Sequence, residues 1–291
     1  MVWNHDTKMG VMGMMKIIYF ILLGHFMVLN TVTFDVVHAG NSGDESKYTS
    51  GCVPKHFRLA PGSQASTDMT VSFTLGFTSN LNCQPYVIIG SNEVDGFVKL
   101  ERVFVEEVFE DVRQYNFTSI RDFSNYTSDY FVHVHIDKLL PSTKYFYHVG
   151  SNVMDVELDS WDTSVKRSLL LQGGFRVEDS LSFTTAPLST NKSGEFVPLK
   201  FALVGDLGQT KDSLATMKHI ANDEEVNAIL HAGDMSYADS EQNRWDSWFE
   251  MIKFLSNRVP WLVCPGNHEI ETNGITKEIF VPYQSRFGKL G

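Results

Sequence analysis

Cysteine is scarce: three in 291 residues cannot supply a disulfide scaffold, so this chain must rely on apolar cores. Basic residues are outnumbered, with 24 Lys and Arg against 35 Asp and Glu. The net charge of −11 lacks the cationic footprint of a nucleic-acid binder, so no nucleic-acid partner is expected. An acidic protein can still handle phosphate esters, because a bound metal dominates the local field. Internal repeats and coiled-coil heptads are absent. Histidine is missing after His268.

Long apolar runs are also missing, apart from Ile17 to Leu29 behind Lys16. Asn30 and Asp35 end that run early, which gives it the length of a signal-peptide core. Val37-His38-Ala39 before Gly40 offers small residues for cleavage. Residues 1–39 are therefore expected to be a signal peptide, with an uncleaved membrane anchor as the rival. Translation could also start at Met14 or Met15. Export would make three sequons meaningful: Asn116-Phe117-Thr118, Asn125-Tyr126-Thr127 and Asn191-Lys192-Ser193. It would also allow Cys52 and Cys83 to pair, although sequence alone cannot establish the bond. The expected destination is extracellular, or a lysosome or vacuole reached by the secretory pathway.

Residues 52–187 read as all-β. Met69 to Phe77 alternates apolar and polar, and Lys144 to Gly150 and Ser180 to Thr184 are further short strands, a pattern that suggests a sandwich. Residues 188–197, rich in Asn, Lys, Ser and Gly, read as a linker. Residues 198–291 alternate strand and helix, as in a parallel, helix-covered sheet. Apolar strands are expected at Phe201 to Val204, Ala228 to Leu230 and Trp261 to Val263. Helices are expected over Lys211 to Ala221 and over Gln242 to Leu255, where Trp245, Trp248, Phe249, Ile252 and Leu255 form a core-facing stripe. Cys264 reads as a small buried hydrophobe. His219 and His231 read as structural, and His133-Val134-His135 as a strand whose histidines face solvent.

Each of the three strands runs into a turn bearing polar ligands: Gly205-Asp206-Leu207-Gly208, Gly233-Asp234-Met235-Ser236-Tyr237-Ala238-Asp239 and Gly266-Asn267-His268-Glu269. In an open α/β sheet, ligands sit beyond the carboxyl ends of the strands. Any one Gly-Asp is an ordinary turn; three in order, each after a strand, gather Asp206, Asp234, Tyr237, Asn267 and His268. Carboxylates suit hard cations and can bridge two of them. A phenolate favours a trivalent ion such as iron(III), and Asn267 adds a neutral amide oxygen. Two metals about 3.5–4 Å apart can clamp a phosphate and stabilise attacking and leaving oxygens.

At these motifs the chain resembles the purple acid phosphatases, a branch of the calcineurin-like metallophosphoesterases. Asn243-Arg244-Trp245-Asp246-Ser247-Trp248 agrees. Leu140 to Gly150 and Phe183 to Pro187 resemble the fibronectin-III-like domain of the plant-type, high-molecular-weight members, with Trp161 to Val177 as an inserted loop. The implied fold is a fibronectin-III-like β-sandwich followed by the first half of an α/β (βαβαβ) metallophosphoesterase domain. The implied activity is acid hydrolysis of phosphate monoesters by metal-bound hydroxide, on small phosphate-ester substrates. The implied cofactors are iron(III), held by Asp206 and Tyr237, and a divalent zinc, manganese or iron, held by Asn267. Asp234 would bridge them, and His268 would hold substrate or protonate the leaving oxygen. A homodimer stays open. The family pattern also needs three further histidines beyond Asn267. Their absence implies a piece of a longer chain or a shortened relative without activity. The rival functions are a phosphodiesterase or nucleotide hydrolase of the same superfamily, and a non-catalytic secreted protein with a degenerate half-site.

Overall fold

The computed structural model describes residues 18–21, 53–76, 83–105, 111–153, 175–177 and 180–288. One sheet of the amino-terminal sandwich has the order β2 (Pro54–Pro61), β3 (Met69–Leu75), β11 (Tyr130–Ile136), β8 (Asp111–Arg113). The facing sheet has the order β14 (Leu181–Thr184), β12 (Lys144–Val153), β4 (Cys83–Gly90), β7 (Arg102–Val105). All neighbours in both sheets are antiparallel. Small sheets join β9 (Asn116–Thr118) to β10 (Asn125–Thr127), and β5 (Glu93–Val94) to β6 (Phe97–Val98) and β13 (Phe175–Arg176). Alternation sets the sandwich core: Val71, Phe73, Val132 and Val134 of one sheet pack against Val87, Ile89, Tyr147 and Phe183 of the other.

The second unit is a sheet of order β1 (Ile18–Ile21), β15 (Lys200–Val204), β16 (Val226–Ala232), β17 (Trp261–Cys264). Strands β15, β16 and β17 are parallel, and helices α1 (Lys211–Ala221) and α2 (Asn243–Ser256) make the crossovers. Thr210 and Ser213 cap α1 reciprocally, which fixes where it starts. The aromatic stripe of α2 is buried as expected: Trp245, Trp248, Ile252 and Leu255 pack with Trp261 against the sheet. A short helix, α3 (Val281–Phe287), follows.

The amino-terminal apolar run contributes β1, antiparallel to β15. Removal of a leader would therefore uncover one edge of β15. Among the described residues, no helix is long and apolar enough to cross a membrane. The proposed Cys52–Cys83 pair lies outside the described residues, because Cys52 does. The sequon residues Asn116, Asn125 and Asn191 are all exposed.

Two sequence expectations need correction. Cys264 is exposed, not buried. It and Leu262 point to the same side of the outermost strand β17, where no layer covers them among the described residues. His133 is buried, not solvated. Val132, Val134 and Ile136 do face the sandwich core. The opposite face of β11, however, lies under the α/β unit. His133 Nδ1 is 2.9 Å from Ser72 Oγ, and Nε2 is 3.1 Å from the Ser285 carbonyl in α3. That seam also holds Arg286, whose guanidinium bonds Tyr115 Oη and the Pro282 carbonyl and lies over the Phe131 and Trp245 rings.

His231 is structural, as expected. It is 2% exposed, its ring lies 5.6 Å from that of Trp261, and neither ring nitrogen has a hydrogen-bond partner among the described residues. Burial lowers its pKa from 6.5 to about 3, and that of His56, in the seam, to about 4. Both imidazoles fold neutral, so the unfolded chain binds more protons once the pH drops below the unfolded value. Their contribution is complete above pH 6.5 and is lost as the pH falls toward 4 and then 3. His231→Phe should therefore shrink the stability lost between about pH 7 and pH 4.5 by about 2 kcal/mol. Urea denaturation at the two pH values checks this, and an unchanged acid loss would show that His231 does not set it.

Candidate metal centre

The three motif turns lie side by side at the carboxyl ends of β15, β16 and β17. Adjacent parallel strands in register place them there. Asp206, Asp234 and Tyr237 all have left-handed backbone, with φ of 51°, 52° and 50°. Aspartate tolerates that region, whereas a bulky tyrosine rarely occupies it. Strain of this kind persists only where surrounding contacts enforce it, and it points toward function.

Those contacts are visible. The Asp206 N–H donates to the Gly233 carbonyl at 3.2 Å, and the Gly208 N–H to the Met235 carbonyl at 2.9 Å, which ties the first turn to the second. Glu269, fully buried, ties the second to the third. Its Oε2 accepts from the N–H groups of Asp234 and Gly266, each at 2.8 Å, and its Oε1 from that of Met235 at 2.9 Å. The two loops cross through glycines. A Cβ on Gly266 would lie 2.2 Å from Asp234 Oδ1, and one on Gly233 would lie 2.7 Å from Gly266 Cα.

Around this crossing the candidate ligands assemble. Tyr237 Oη donates to Asp206 Oδ1 at 3.1 Å. Asp234 is buried, and its Oδ1 accepts the His268 N–H at 2.9 Å. The His268 ring lies 4.2 Å from that of Tyr237, and its Nδ1 is 2.6 Å from Asp239 Oδ1. That bond raises the His268 pKa above its ordinary value. Asn267 opens the short turn Asn267–Glu269, with its side chain exposed. Desolvation, then the Asp206 hydrogen bond, pushes the Tyr237 phenol up to about 12.

The donor set fits hard cations. A phenol and a carboxylate oxygen already meet over one proton, and a second carboxylate, that of Asp234, stands on the neighbouring strand end. Among the described residues, no group of three or more His, Cys, Asp or Glu side chains could by itself hold a metal. Asp206, Asp234 and His268 are of those types and do not form such a group by themselves, so a metal held here would also draw on Tyr237 and Asn267.

Sequence reasoning did not assign roles to Glu269, Asp239 or Glu271. The first two stand inside the motif segments, so their positions were in view. Glu271 gave no signal. It is buried and accepts from Ser240 N–H, Gln242 Nε2 and Trp245 Nε1 at 2.8–2.9 Å. It thereby holds the end of the second turn onto α2.

Comparison with known proteins bears on the family and the fold. Residues 199–290 match the family model described as calcineurin-like phosphoesterase, and residues 54–164 match purple acid phosphatase, N-terminal domain. The chain is 36% identical over 172 residues to Fe(3+)-Zn(2+) purple acid phosphatase 12 of Arabidopsis thaliana, covering 57% of this chain and 31% of that protein. It is 32% identical over 177 residues to purple acid phosphatase 5 of the same plant, covering 58% and 37%. The chain thus spans about a third of the length of these curated relatives. The solved structure of purple acid phosphatase PPD1 from yellow lupin seeds shares the fold, with a TM-score of 0.58 at 21% identity over 81% of this chain and 40% of that one.

Glu269→Gln should be costly, because one carboxamide cannot accept from all three N–H groups and turns its own N–H₂ toward one of them. The expected loss is about 2–3 kcal/mol of stability, measured by urea denaturation. A loss below about 0.5 kcal/mol, the range of an ordinary surface change, would show that Glu269 does not hold the loops.

Proposed function

The chain belongs to the purple acid phosphatase family of calcineurin-like phosphoesterases, and from that premise we propose that it is an acid phosphatase hydrolysing phosphate monoesters at a dinuclear metal site. The observation that carries this reading is the Asp206–Tyr237 pair at 3.1 Å, standing beside the buried Asp234 on adjacent strand ends. Asp206 and Tyr237 would hold iron(III), Asp234 would bridge, and Asn267 would hold a divalent ion. The name of the Fe(3+)-Zn(2+) relative supports iron with zinc. When bound, the two cations would supply Lewis acidity toward the phosphoryl oxygens and a lowered pKa for water.

The protein's own residues would do the rest. Asp239 takes Nδ1 of His268, which leaves Nε2 as the ring nitrogen with no hydrogen-bond partner among the described residues. A proton at Nε2 would hydrogen-bond a substrate oxygen and pass to the leaving alkoxide. Asp239 would be the positioning residue for that ring. The tilted contact with the Tyr237 ring, 4.2 Å between centroids, would help hold the imidazole, so the same tyrosine would serve iron and histidine together. Export through the secretory pathway, with glycans on the exposed Asn116, Asn125 and Asn191, completes the proposal.

In the iron-loaded, full-length protein, Tyr237→Phe should abolish any visible charge-transfer band. A band that survived would remove Tyr237 from the iron. Asp234→Asn should cost both metals by elemental analysis, and retention of full metal content would end the bridging role.

A further inference from the structure

The seam between the two units buries a charge with no acidic partner among the described residues. Arg58 of β2 stands in cross-strand register with Ser72 of β3, and Ser72 with His133 of β11, so the three share one face of the sheet. Phe57 and Leu59, on either side of Arg58, pack into the sandwich core. Alternation therefore turns Arg58 the other way, toward α3.

Arg58 is 1% exposed, and its guanidinium lies 4.6 Å from the centre of the Phe287 ring. Only Nη2 reaches acceptors, the Phe287 carbonyl at 3.4 Å and Ser72 Oγ at 3.5 Å, and both bonds are long. Nε and Nη1 have no hydrogen-bond partner among the described residues. Burial pulls the pKa from 12.5 down to about 10, so the group still carries its charge at neutral pH. A buried guanidinium ordinarily has a carboxylate partner and filled donors. Arg58 has neither among the described residues.

Arg286 lines the same small cavity, of about 10 Å³. Its Nη1 donates to Tyr115 Oη and the Pro282 carbonyl, while Nε and Nη2 have no hydrogen-bond partner among the described residues. His56, His133, Ser72 and Thr74 complete the polar lining, which holds no carboxylate. These four are engaged in pairs, His133 Nδ1 with Ser72 Oγ at 2.9 Å and His56 Nδ1 with Thr74 Oγ1 at 3.2 Å. Three acids lie behind the lining. Asp246 Oδ1 is 3.7 Å from Arg286 Nη2, Glu271 also acts on Arg286, and Glu250 Oε1 is 3.6 Å from His56 Nε2. Asp246 and Glu271 thus balance Arg286, and burial keeps His56 neutral. The charge of Arg58 remains.

A cavity of this size admits one particle of about water's dimensions and no polyatomic oxyanion. Water would fill the open donors but leave the charge unbalanced. A guanidinium is weakly hydrated and presents its donors in a fixed plane, which suits a monatomic anion.

We propose that this cavity is a chloride site. One chloride ion, accepting from Arg58 and Arg286, neutralises the seam and ties β2 of the sandwich to α3 of the α/β unit. The site stands apart from the metal centre and does not rest on the phosphatase reading.

Long-wavelength anomalous diffraction from crystals of the full-length protein grown in sodium chloride should show a chlorine peak within hydrogen-bond distance of both guanidiniums. Density without an anomalous signal, a buried water only, would overturn the proposal, and so would a carboxylate of the chain seated against Arg58. In solution, the Tm of the metal-loaded, full-length protein should rise with sodium chloride and not with sodium methanesulfonate at the same ionic strength, because an ion that binds only the folded state stabilises it by mass action. Above the Kd, each tenfold rise in chloride should lower the unfolding constant about tenfold. Arg58→Met keeps an apolar stem and should lose that chloride-specific rise. Equal rises with both salts in the wild type, or an undiminished chloride-specific rise in the variant, would overturn the site. If Arg58→Met does not fold, the diffraction peak of the wild-type protein decides alone.

Discussion

One buried carboxylate organises the functional end of this protein. Glu269 accepts three backbone N–H groups drawn from two loops, and those loops carry Asp234, Tyr237, Asn267 and His268. A carboxylate can do this because it has acceptor sites on both oxygens and no donor to misplace. The first loop then hangs on the second through two main-chain bonds, so strain at Asp206, Asp234 and Tyr237 is met by a common frame. Without that frame, left-handed tyrosine backbone would relax, and the phenol would leave the Asp206 carboxylate.

The β-sandwich is part of the same frame. Tyr115 Oη donates to Gln242 Oε1 at 2.7 Å, Gln242 Nε2 donates to Glu271 at 2.8 Å, and Glu271 holds the Ser240 N–H, one residue beyond Asp239. A chain of buried hydrogen bonds therefore runs from the sandwich to Ser240, the residue next to the partner of His268. Tyr147 Oη and Ser256 Oγ add further bonds across the seam, at 2.6 and 2.7 Å. Buried groups so connected are costly to leave half satisfied, which favours one relative arrangement of the two units.

Much of this was legible in the sequence, for local reasons. Apolar runs followed by Gly-Asp or Gly-Asn fix strand ends and turns within a few residues, so β15, β16, β17 and the motif turns could be read directly. The helical stripe from Trp245 to Leu255 has a period that sequence displays. What could not be read depends on contacts distant along the chain. His133 alternates like any half-exposed strand residue, and nothing near it announces that Ser285, 152 positions later, covers it. Cys264 shows the reverse error: an apolar neighbourhood suggests burial, whereas its place on the outermost strand decides exposure. Glu271 matters through Ser240, Gln242 and Trp245, 26 to 31 positions earlier, and no local pattern distinguishes it from an ordinary surface charge.

The glycine crossing has a consequence for inheritance. Gly233 and Gly266 approach so closely that a methyl group on either would enter the other loop, and at Gly266 it would strike the carboxylate of Asp234. Neither position can be altered on its own without moving a candidate ligand. Descendants of this gene could vary the helix surfaces independently. The second and third motifs can only be passed on as a pair, so a change in one without the other would mark a copy released from selection on this site.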